Sequence, residues 1–261
     1  MAKTKRKNSE IEPIAFEKYI GEERNINIRI KNNKKTFETQ WYPDRVKAQP
    51  QGNAYIIGNG PSRKGFDLAQ LKSTGQTYGC NALYRDFIPD YIFSVDSKIT
   101  LRMVQDEVYK KCIHYAPALE VNRYPPLPAV KRKTLNLDSY LHLIPNSPGW
   151  ISGSAAMWTA CVHGHQDIFL IGFDFREYGK NQLNNIYQDT KNYGPRHSDT
   201  IFDGWLSQFR NLQRMRPYCN FNIVHDSPPD FLKVSNPSDN LGKFKIYSYK
   251  EFTDKVINQA T

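Results

Sequence analysis

Ala54-Tyr55-Ile56-Ile57-Gly58-Asn59-Gly60-Pro61-Ser62 begins as a short apolar run and ends in a Gly-Asn-Gly-Pro breaker, the pattern of a buried strand entering a tight turn. Downstream, residues 167–173 are a nearly continuous apolar stretch, which reads as a strand covered on both faces. Between them the sequence predicts a short helix around Phe66, Leu68 and Leu71, strands over 77–83, 90–96 and 112–116, an amphipathic helix over 99–111 and a small-residue helix over 154–164. Beyond them it predicts a helix over 205–216, a strand over 221–225 and a C-terminal amphipathic helix over 249–257. This βα alternation predicts an α/β fold, a Rossmann-like, doubly wound and mainly parallel sheet with helices on both faces.

Residues 1–50 are polar, charged and poorly periodic, and a Gln-Pro-Gln-Gly-Asn breaker follows at 49–53. They read as a basic N-terminal arm or appendage, with residues 51–261 forming one Rossmann-like nucleotide-binding domain. At 261 residues the chain is long enough for such a domain and a generous core. No apolar run approaches the roughly 18 residues that cross a bilayer. The basic start, Met1 to Lys7, is followed by neither an apolar core nor a cleavage site, so cytoplasmic residence is expected. The four cysteines, Cys80, Cys112, Cys161 and Cys219, have no CxxC spacing and read as reduced thiols. The net charge of +10 invites a polyanion. Its Lys and Arg residues are dispersed among acids, however, which favours a small anionic ligand or an anionic surface over nucleic acid as the main partner.

In doubly wound sheets ligands bind beyond the C-terminal ends of the strands, and five stretches fall there. In the first, Gly58 and Gly60 allow close approach to the backbone and Ser62 offers a hydroxyl and an N–H to an anion. Arg63 stands in the third glycine slot of a GxGxxG pattern. Asn81 ends the next strand and Asp96 the one after, so Asn59, Asn81 and Asp96 share one sheet edge. Each is also a natural helix cap. Ser152 and Gly153 precede a helix whose N-terminus favours phosphate. In Gly172-Phe173-Asp174-Phe175-Arg176, Asp174 is placed to orient a polar partner, and Arg176 or Tyr178 to meet phosphate charge. Residues 176–197 read as a lid that ends near His197, a candidate general base before a helix.

The series GNGPS, CN, SVD, SG, GFDF and HSD, running from Gly58 to Asp199, resembles the bacterial sialyltransferases that modify lipooligosaccharide and their uncharacterised Rossmann-like relatives, bacteriophage members included. That wider group is also similar to the archaeal 6-hydroxymethylpterin pyrophosphokinases. The resemblance implies a glycosyltransferase using a nucleotide-sugar donor, CMP-sugar favoured, and a glycan or other hydroxyl acceptor. It implies inverting transfer that requires no metal or other cofactor. Carried over by position, Asn59 and Ser62 meet the donor phosphate, Asn81 meets ribose or cytosine, Ser152 and Gly153 meet the nucleotide, and His197 is the base; Gly60 is counted with the nucleotide-binding residues. A homo-oligomer is expected. The chain departs from these enzymes at Arg176, where they place a tyrosine, and at Asp96, where they place an asparagine. Two other readings compete: a pyrophosphokinase, which needs Mg²⁺ and paired acids such as Asp96 and Asp174, and a non-enzymatic basic assembly protein, such as one associated with a phage particle, on the same scaffold.

Overall fold

The computed structural model describes residues 23–31, 34–42, 52–116, 142–144, 150–175, 185–193, 200–229 and 244–259. The first element departs from the sequence reading. Within the stretch read as aperiodic, β1 (Glu23–Lys31) and β2 (Lys34–Tyr42) pair as an antiparallel hairpin. Ile26, Ile28 and Ile30 alternate with polar residues there, a period of two that the high local charge obscures.

The main sheet has eight strands: β3 (Asn53–Ile57), β4 (Gly75–Cys80), β5 (Tyr91–Phe93), β6 (Ile113–Ala116), β7 (His142–Leu143), β8 (Asp167–Ile171), β9 (Asn220–Val224) and β10 (Lys245–Tyr247). Their spatial order is β10-β9-β8-β3-β4-β5-β6-β7, and every pairing is parallel. The chain steps outward from β3 to β7, returns to place β8 beside β3, then steps out the other way. The fold is therefore the doubly wound α/β type, and its topological switch point lies between β3 and β8.

Both faces are covered. Alternate residues of the central strands feed two cores, as the two-residue strand period requires. Ala54, Ile56, Ile168 and Leu170 pack with Ala155, Met157 and Ala160 of α2 (Ser152–Val162) and with Phe209 and Leu212 of α3 (Thr200–Met215). Tyr55, Ile57, Phe169 and Ile171 pack on the other face with Ile99 and Met103 of α1 (Ser97–Gln105). Phe252, which ends α4 (Tyr249–Phe252), joins them, as does Ile257 in the π-turn that follows. From Ser152 to Cys161 every residue of α2 is buried. Its run of Ser, Gly and Ala lets the helix lie close against the sheet. No helix among the described residues is long and apolar enough to cross a membrane.

Several elements end earlier than predicted, β5 among them at Phe93. β4 stops at Cys80 because Asn81 turns into the left-handed region, with φ of 50°. α1 stops at Gln105, short of residue 111, and Glu107 is left-handed with φ of 55°. β8 stops at Ile171, just before Gly172 at φ of 71°.

Candidate functional site

The switch point is closed by contact between the two loops that form it. Gly58 N–H donates to Ile171 O at 2.8 Å, and Gly60 N–H to Gly172 O at 2.9 Å. A Cβ on Gly58 would stand 2.5 Å from Gly172 O, and one on Gly60 would stand 2.6 Å from the Asp174 carboxyl carbon. These glycines are thus required by the facing loop. Ser62 donates its backbone N–H to Asp174 Oδ2 at 3.1 Å and its hydroxyl to Oδ1. Asp174 is buried, with His225 Nε2 at 3.7 Å from Oδ1. His225 Nδ1 accepts from Ser227 N–H at 2.9 Å, which leaves the ring proton of the neutral tautomer on Nε2, facing the carboxylate. The anion-binding donors of Ser62 are therefore engaged by a carboxylate of the protein itself.

Arg63 explains its place in the glycine slot. Its side chain is 4% exposed; Nε donates to Gly58 O at 2.9 Å, Nη1 and Nη2 both reach Asp86 Oδ2 at 3.2 Å, and Nη2 reaches the Tyr187 hydroxyl at 3.0 Å. Tyr187 also donates to Asp86. Burial, and then the Asp86 carboxylate, push the Tyr187 phenol well above its usual range. Residues 185–193, part of the predicted lid, are fastened by this cluster. Ile186 N–H donates to Asn59 O at 2.8 Å, and Arg85 lies over the Tyr187 and Tyr193 rings while bonding Thr190.

Beside the closed loops lies a second row. Asn59 Nδ2 donates to Cys80 O at 3.0 Å, and its Oδ1 is buried with no hydrogen-bond partner among the described residues. Ser152 Oγ accepts from Val95 N–H at 3.2 Å and donates to Asn81 Oδ1 at 2.8 Å. With its oxygen held, the Asn81 amide presents its NH₂ donors outward. Ser152 also opens α2, whose N-cap, Ile151, supplies no side-chain acceptor and whose first turn carries no acid. Its first N–H groups and the positive end of its dipole therefore lack a neutralising partner among the described residues. Gly153 has a packing role as well, since a Cβ there would meet Phe173 Cε1 at 2.6 Å.

Asp96 sits farther along the row, exposed, capping α1 through Lys98 N–H at 2.8 Å. In the order β8-β3-β4-β5, the strands leading to Asp174 and Asp96 are three spacings, about 14 Å, apart. The two aspartates do not form a pair. Arg176, Tyr178 and His197 lie outside the described residues. Sequence reasoning noted Arg63 only as a departure from the glycine pattern and gave no role to Asp86, Tyr187 or His225. The rule that selects residues just past parallel strands would have found His225 after β9. Nothing in the local sequence announces that Arg63 is buried.

A separate cavity of about 430 Å³ lies at the opposite edge of the sheet, among Lys72, Asp90, Tyr109, Lys111 and His114. Lys72 there already pairs with Asp90 at 3.6 Å. Compared with models of known protein families, with curated proteins and with solved structures, the chain has no match.

Proposed function

We propose that this protein binds a nucleotide over the N-terminus of α2 and uses it as a glycosyl donor, CMP-sugar favoured, for transfer to a hydroxyl acceptor. The observation that carries the reading is the Val95–Ser152–Asn81 chain, which orients an amide donor beside a helix N-terminus that no described side chain caps. A phosphate there meets the N–H groups of α2 that have no partner among the described residues, and the helix dipole, while the Asn81 NH₂ reaches the base or ribose. The strands leading to the aspartates that would share a Mg²⁺ ion lie three spacings, about 14 Å, apart in the sheet. This favours a metal-independent displacement over pyrophosphoryl transfer. In this reading His197 removes the acceptor proton and Arg176 meets the charge developing on the leaving phosphate.

Ser62 gives the assembly-protein reading specific support, because both its donors are taken by Asp174 and the first loop holds no ready anion site. A thermal-shift panel of CMP, CMP-sugar, UDP, UDP-sugar, GDP-sugar and ATP, with and without Mg²⁺, separates the possibilities. A ligand at a hundred times its Kd stabilises by about 2.7 kcal/mol. The transferase reading expects a Mg²⁺-independent shift selective for CMP species, diminished in Ser152→Ala, with donor turnover abolished in His197→Ala. A featureless panel supports the assembly scaffold. Strict Mg²⁺ dependence supports the pyrophosphokinase.

A further inference from the structure

The cavity at the far edge of the sheet is built differently from the candidate site. β5 and β6 run parallel, so Asp90, just before β5, and residues 109–112, just before β6, gather at the N-terminal ends of the strands, whereas the candidate site lies beyond C-terminal ends. Its volume of about 430 Å³ falls within the range of small-molecule sites. Lys72, Asp90, Tyr109, Lys111, Cys112 and His114 are among the residues that line it.

One part of this lining is cationic. Asp90 is fastened by Thr77, whose backbone N–H and hydroxyl both donate to Oδ2, at 2.8 and 2.7 Å. Its other oxygen stands 3.6 Å from Lys72 Nζ, an ion pair longer than the roughly 2.7–2.9 Å of a charge-assisted hydrogen bond, so the ammonium can turn its donors to a closer acceptor. Lys111 is exposed and adds a second ammonium, while Lys110 is held by Glu107 at 2.7 Å. The charges of Lys72, Asp90 and Lys111 all bear on the Cys112 thiol, which places them around one spot.

His114, fully buried, brings the opposite polarity. Its Nε2 lies 2.7 Å from Ser94 Oγ, Ser94 Oγ lies 2.8 Å from Thr100 Oγ1, and the Thr100 hydroxyl donates to Asp96 O at 2.8 Å. A carbonyl only accepts, so the single Thr100 proton is used there. Ser94 must then donate to Thr100, and Nε2 must carry the ring proton. Nδ1 of the neutral ring is therefore a bare acceptor, and it is buried with no hydrogen-bond partner among the described residues. Burial lowers the His114 pKa to about 3, which keeps the ring neutral and this acceptor in place at neutral pH. Such a nitrogen costs free energy until a donor reaches it.

We propose that this cavity is a second binding site, for a small phosphate monoester that carries hydroxyl groups, such as a sugar phosphate. Lys72 and Lys111 hold the phosphate, and a ligand hydroxyl donates to His114 Nδ1. Lysine binds phosphate as a point charge, so the ammonium groups supply attraction and the hydroxyl contact supplies selectivity.

Calorimetric titration of the full-length protein at about pH 8, where a phosphate monoester is a dianion with no proton left to donate, compares glucose 6-phosphate with methyl phosphate and with glucose. Glucose 6-phosphate should bind saturably and more tightly than either fragment. Lys111→Met should weaken it tenfold or more, as the loss of a charged hydrogen bond implies. Ser152→Ala, at the candidate site, and Lys255→Met, at an exposed position on the C-terminal segment, should leave its Kd unchanged. Nitrogen NMR of the isotope-labelled protein should show the His114 Nδ1 resonance moving toward that of a hydrogen-bonded acceptor with glucose 6-phosphate and staying in place with methyl phosphate. Absence of saturable binding, equal affinity for methyl phosphate, a silent His114, or a Kd that follows Ser152 rather than Lys111 would overturn the proposal.

Discussion

Asn81 carries two constraints that a substitution can separate. Its backbone sits at φ of 50°, which glycine adopts freely, while its side chain receives the Ser152 hydroxyl. Asn81→Gly should therefore leave the unfolding midpoint nearly unchanged and weaken CMP binding about tenfold, the loss of one hydrogen bond worth about 1.4 kcal/mol. Calorimetry against the parent protein checks this, and unchanged affinity would remove Asn81 from the site. Gly60 behaves oppositely. Its Cβ position lies 2.6 Å from both the Asp174 carboxylate and Gly172 O, so Gly60→Ala should destabilise the fold by roughly 1–3 kcal/mol through overpacking, read by urea denaturation. At this scale the sequence was partly legible. Asn81 and Ser152 are found from their places after a strand and before a helix. The use of Gly58 and Gly60 is not, because it depends on Gly172 and Asp174, more than a hundred residues away, entering the same space.

Elements with a long apolar signature are the ones that sequence reading places well. β3, β8 and α2 carry unbroken buried runs that only a two-sided core accommodates. β7 and β10, with two and three residues, are too short for any period to register, and they exist because a neighbouring strand supplies the pairing. The 185–193 segment is an element of a different kind, held by polar bonds among Arg63, Asp86 and Tyr187 in addition to the packing of Ile186, Tyr187 and Tyr193. Arg63→Met removes the cation, leaves Asp86 with the Tyr187 hydroxyl but no charge partner, and frees Gly58 O. Because Asp86 is 44% exposed, the cost should sit near the lower end of that for a broken buried pair, about 3 kcal/mol. Limited proteolysis should then cut within 185–193 sooner than in the parent, while Lys64→Met, at an exposed neighbouring position, should change neither property.

The whole molecule should respond to acid through histidines buried in the neutral form. His114 is fully buried, and desolvation, reinforced by the charge of His142, lowers its pKa from 6.5 to about 3. A hydroxyl relay fixes its tautomer: Thr100 donates to Asp96 O, Ser94 bridges to Thr100, and His114 Nε2 meets Ser94 at 2.7 Å. His165 is lowered too, again chiefly by burial. The unfolded chain takes up these protons near pH 6.5 and the folded chain only at lower pH, near 3 for His114. This contribution to stability is thus complete above pH 6.5 and is lost as the pH falls toward 3. Urea midpoints should decline across that window, and His114→Gln should make the decline shallower; an equal slope would exclude His114 as a cause. The placement of β8 beside β3 also bears on synthesis. β3 emerges from the ribosome with β4 soon behind it on one flank, but its other hydrogen-bonding edge waits for β8, which begins about 110 residues later. At translation rates of 5–20 residues per second that is an interval of roughly 5 to 20 s. Through it Ala54, Tyr55, Ile56 and Ile57 form a bare, apolar strand edge open to any passing chain, so the nascent polypeptide is most vulnerable to aggregation before its second half arrives.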